Sequence, residues 1–122
     1  MTDAQIPARP TVKAVLYRPE SPKPAWIDFR TCLSDSTDLE ELRRNIGCEW
    51  VECMPVGPNL SIWFDEEGAI HNKEQQVNPL LVPLHRIFGN VLLTRTNFAN
   101  EGVVDSDVTV EELEAIGYPV PE

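Results

Sequence analysis

The sequence predicts an α+β fold, a small and mostly antiparallel sheet of about five strands with one main helix and a short C-terminal helix. Apolar residues alternate with period two in several short runs, as half-buried strands require. Two Thr-x-x-Glu capping boxes, Thr37 with Glu40 and Thr109 with Glu112, each precede apolar residues at helical spacing. Pro7, Pro10, Pro19, Pro22 and Pro24 crowd the start of the chain and rule out an early helix.

Residues 1–10 read as a flexible tail, 11–118 as one domain and 119–122 as a C-terminal tail. Thr11 to Tyr17 is the first strand, with Val12, Ala14 and Leu16 alternating against Lys13, Val15 and Tyr17. Ala25 to Phe29 follows as a second strand, and an antiparallel hairpin is the simplest way to join the two. Asp38 to Ile46 reads as the main helix, with Leu39, Leu42 and Ile46 as its buried face. Arg43 and Arg44 lie near its negative end, and Gly47 supplies the left-handed stop. Trp50 to Met54 is the next strand, broken by Pro55. Gly57-Pro58-Asn59 is a turn, and Leu60, Ile62 and Phe64 alternate with Ser61, Trp63 and Asp65 in the clearest half-buried strand. That strand ends in Asp65-Glu66-Glu67-Gly68, with Ala69-Ile70 expected to complete a hairpin. Pro79 to Leu84 reads as an apolar loop, and Val91 to Thr94 as a buried strand after Gly89-Asn90. The second capping box opens a short helix through Leu113 and Ile116, stopped by Gly117 and Pro119.

A chain of 122 residues with 42% hydrophobic and 25% charged residues is the size and composition of one globular domain. Acids outnumber bases 20 to 10, and the net charge of −10 opposes direct binding to nucleic acid or to anionic membranes. Two blocks dominate the excess: Cys48 to Val77 carries −5 and Glu101 to Glu122 carries −7. Met1 to Pro10 lacks the apolar run of a secretory leader, and the cysteines Cys32, Cys48 and Cys53 are odd in number. A reducing cytoplasm is therefore the expected compartment.

The search for chemistry yields no cofactor and no metal ligand set. Cys48 and Cys53 are separated by four residues without a CxxC pair, and His71 and His85 are the only imidazoles. Glu49 and Glu52 beside the two thiols disfavour thiolates, so no nucleophile stands out. Asp65, Glu66 and Glu67 at a strand end offer carboxylates that a divalent-metal-dependent hydrolase could use with His71, but acid-acid-Gly after an alternating strand is first a solvated turn. No catalytic residue is assigned. Trp63 falls opposite Leu60, Ile62 and Phe64; it is an interface anchor if that sheet face is open and core if it is covered.

The run Ile46-Gly47-Cys48-Glu49-Trp50-Val51-Glu52-Cys53, then Ile62-Trp63-Phe64-Asp65-Glu66-Glu67-Gly68, Asn78 and Gly89-Asn90-Val91-Leu92-Leu93, resembles a family of small domains of unknown function. That family is common in phage, plasmid and actinobacterial genomes, and the resemblance covers about Thr11 to Thr94. Cys48 departs from it by standing where a second glycine is usual. The resemblance implies a mobile-element accessory protein and brings no catalytic residues.

The leading expectation is a small, acidic, non-enzymatic protein that binds a host or defence protein, with Trp63, Asp65, Glu66, Glu67, Glu111, Glu112 and Glu114 as contact residues. In its sharper form the carboxylates imitate phosphates and occupy the groove of a basic nucleic-acid-binding protein. The competing explanations are that −10 serves solubility alone, that Asp65 to Glu67 hold a catalytic metal, or that the chain is an assembly subunit.

Overall fold

The computed structural model describes residues 11–19, 23–30, 38–68, 70, 87–97 and 103–122. The expectations for Cys32, Thr37, Ala69, His71, Pro79 to Leu84, His85, the first ten residues and the side chain of Leu39 lie outside this set.

Among the described residues, six strands form one antiparallel sheet: β1 (Thr11–Tyr17), β2 (Ala25–Arg30), β3 (Val51–Gly57), β4 (Leu60–Asp65), β5 (Val91–Asn97) and β6 (Val103–Ser106). Helix α1 (Asp38–Ile46) precedes β3, and α2 (Val110–Ile116) follows β6. The order across the sheet is β2-β1-β5-β4-β3. β6 shares one side of β5 with β1, since β1 pairs with Val91 to Leu93 and β6 with Arg95 to Asn97. The chain leaving β6 then reaches β1, where Val108 donates its N–H to the Lys13 carbonyl at 3.0 Å and Asp107 accepts the Lys13 N–H at 2.8 Å.

Strand alternation sorts the core into two layers. Val15, Tyr17, Leu60, Ile62, Phe64, Val91 and Leu93 face one side with Leu113 of α2 and Tyr118. Val12, Ala14, Leu16, Phe29 and Leu92 face the other with Leu42 and Ile46 of α1. β4 is therefore covered on both faces rather than half-exposed: Ser61 and Asp65 are as buried as their apolar neighbours. Desolvated hydroxyls need partners. Ser61 donates to Thr96, Thr94 and Thr96 share a hydrogen bond at 2.8 Å, and the Trp63 indole donates to Thr94 at 2.8 Å.

The helix ends that the structure describes follow the expected chemistry. Gly47, at φ 81°, closes α1 by donating to the Arg43 carbonyl at 2.8 Å. Thr109 and Glu112 form the complete reciprocal capping box of α2, and Gly117 ends it in the left-handed conformation. Asn59, at φ 57° after Pro58, makes the two-residue connection of β3 to β4.

Four details depart from the sequence expectation. β3 starts at Val51, leaving Trp50 outside it, and passes through Pro55. A proline is tolerated there because β3 is an edge strand and the register shifts between Pro55 and Gly57. β6 has no signature in the sequence: four residues are too few to show a period, and its pairing with β5 makes it a strand. Ile70 belongs to a turn, its N–H bonding the Glu67 carbonyl at 3.0 Å. The last residues, read as a tail, pack onto the sheet: Tyr17 donates to the Pro119 carbonyl at 2.8 Å, Val120 packs against the core and Pro121 is buried.

Candidate functional site

The features suited to recognition gather at the sheet edge where β3 starts and β4 ends. A cleft of about 300 Å³ lies there, lined by Glu52, Cys53, Met54 and Pro55 of β3, Phe64 and Asp65 of β4, Glu66 and Gly68 of the turn, and Ile87 and Phe88 ahead of β5. Turn chemistry builds its rim. Asp65 Oδ1 accepts the Glu67 N–H at 2.8 Å, and the Gly68 N–H bonds the Asp65 carbonyl at 3.2 Å. Gly68 is required by proximity, because a Cβ there would stand 2.8 Å from the Phe88 carbonyl oxygen. The Glu66 N–H bonds the Trp50 carbonyl at 2.9 Å and ties the turn to the segment ahead of β3.

Two of the large apolar side chains exposed among the described residues stand at this end, Trp50 at 54% and Ile70 at 74%. Residues 48–68 contain Glu49, Glu52, Asp65, Glu66 and Glu67 and no Lys or Arg. The site is thus an acidic edge with an exposed aromatic and a hollow of mixed polar and apolar lining. Such a composition suits contact with cations carried on apolar stems.

The predicted contact residues do not converge. Glu66 is exposed and Glu67 half-buried, but Asp65 is only 4% exposed and its carboxylate is engaged in the turn. Trp63 faces the α1 layer, half-buried, with its indole N–H bonded to Thr94, so its polar end is turned to the protein. On α2, Glu111 and Glu114 are exposed, whereas Glu112 closes the capping box and meets Arg95 Nε at 3.0 Å. Arg95 pairs with Leu60 at the far end of β4 from Asp65, about 17 Å away at ~3.4 Å per strand residue. The two acidic blocks are therefore separate surfaces.

Trp50, Ile70 and Glu52 were missed as site residues. Their signal is combinatorial: Trp50 follows a helix stop and precedes a strand, and only its exposure separates it from a core tryptophan. Trp26 is half-buried beside a second hollow of about 360 Å³, with Val108 and Val110.

Burial pushes the Cys53 thiol above its ordinary value, the Ser61 hydroxyl opposes that rise, and Glu52 adds a smaller push upward. Cys48 is half-buried and Cys53 exposed. Among the described residues, no group of three or more His, Cys, Asp or Glu side chains is placed to hold a metal ion.

These features define a small α+β domain whose antiparallel sheet carries a helix on each face and an acidic, aromatic cleft at one edge. The chain belongs to the family described as Domain of unknown function (DUF3846), whose family model matches residues 12–115. No curated protein matches the chain, and no solved structure does. No helix among the described residues is long and apolar enough to cross a membrane.

Proposed function

We propose that the chain is a non-enzymatic binding protein of the cytoplasm that engages a host or defence protein through the β3 edge and modulates it. The observation that carries this reading is the meeting of exposed Trp50, exposed Ile70 and the acidic cleft at one end of the sheet. A large aromatic left in water gains most when a partner covers it, and neighbouring carboxylates select a basic partner and speed its approach. Imitation of nucleic acid is the sharper form. Here the exposed carboxylates Glu49, Glu52 and Glu66 provide the leading surface, with Glu111 and Glu114 as a second one.

The test is affinity capture from host lysate, comparing the wild-type chain with a Trp50→Ala, Glu52→Gln, Glu66→Gln variant of unchanged circular dichroism. A partner retained by the wild type and released by the variant supports the reading. Equal retention by both chains removes the β3 edge from the interface.

A further inference from the structure

The edge of β3, open among the described residues, bears on the shape of the partner, an inference that rests on the binding role proposed above. Among the described residues β3 pairs with β4 alone, at one margin of the sheet. An edge strand directs alternate N–H and C=O groups outward, where a further strand can bond them. Pro55 and the register shift that follows it close one end of this edge, leaving residues 51–54 available. Trp50 stands at the other end, and the cleft containing buried Phe64 lies alongside, with Glu52 and Glu66 exposed to solvent.

We infer that β3 accepts an extended, basic segment of the partner as an added strand. Residues 51–54 supply the backbone pairing and fix the register. Glu52 and Glu66 meet Lys or Arg side chains on one face of the incoming strand, and Trp50 packs against a cationic stem. A second copy of this chain is a poor occupant, because pairing β3 with β3 sets residues 48–68 of each copy, with five acids and no base, against one another.

Random eight-residue peptides displayed on phage and selected against the full chain at low salt supply the probe. The tightest peptide is then measured by calorimetry with each backbone amide N-methylated in turn, and amide hydrogen exchange locates the contact. The expected peptides carry Lys or Arg at alternate positions. N-methylation should weaken binding with a period of two, by roughly tenfold for the amides that face β3, and exchange should slow within residues 51–54. Glu52→Gln and Trp50→Ala should each weaken the same peptide. Basic peptides that bind the acidic edge yet show no alternation under N-methylation overturn the added strand and leave the binding role standing. Failure to select any basic peptide overturns both, and a dimer joined through β3 overturns the choice of partner.

Discussion

A buried hydroxyl needs a partner, and Tyr17 finds one in the Pro119 carbonyl, with the Tyr118 ring edge-on at 6.0 Å. Burial, with a smaller push from Tyr118, raises the Tyr17 phenol well above its ordinary value of 10.0, and burial raises Tyr118 in the same direction. The native state then keeps protons that the unfolded chain releases. This stabilisation is complete below pH ~10 and is lost as pH climbs from there toward the raised folded values. Tyr17→Phe should cost about 1 kcal/mol at neutral pH through the lost hydrogen bond, and should flatten the alkaline fall in unfolding free energy. Urea titrations of both chains below and above pH ~10 check it. Gly68 shows a different limit of residue-level reading: its place after three acids signals a turn, whereas its approach to Phe88 is visible only in the folded chain.

At the scale of elements, local patterns located α1, α2, β1 and β4, because caps, stops and alternation are properties of neighbouring residues. Leu42 is 3% exposed, and Leu42→Ala should lower the unfolding free energy by about 2–5 kcal/mol. Thr109→Ala removes one arm of the capping box and should cost about 0.5–2 kcal/mol. Urea midpoints measure both, and a negligible loss for Leu42→Ala would show that the α1 layer is not packed as described. β6 and the length of β3 were less legible, since a four-residue strand and a proline within a strand make sense only beside the strand they pair with.

For the whole molecule, the net charge of −10 leaves a field that the fold distributes unevenly. Association with a basic partner should slow as salt rises, because exposed charges are screened over about 8–10 Å. Glu111→Gln with Glu114→Gln should leave the melting temperature nearly unchanged, since exposed carboxylates contribute little to stability. Glu112→Gln should lower it, because that side chain serves the helix cap and Arg95. Stopped-flow rates over a salt series and thermal melts separate these effects. Binding that ignores salt and collapses with Trp63→Ala would move the interface to the α1 layer.

The sequence by itself determined the α+β class, the two helices, the α1 stop and the α2 caps, the first hairpin and the acidity, because periodicity, capping and composition act over short stretches of chain. Only the tertiary structure decided which aromatic is available. Trp63 and Trp50 are alike as residues, but pairing β4 between β3 and β5 and laying α1 across that face turns Trp63 toward Thr94, while Trp50 is left in water at the head of an edge strand. Exposure depends on contacts between distant segments, and no local pattern encodes it.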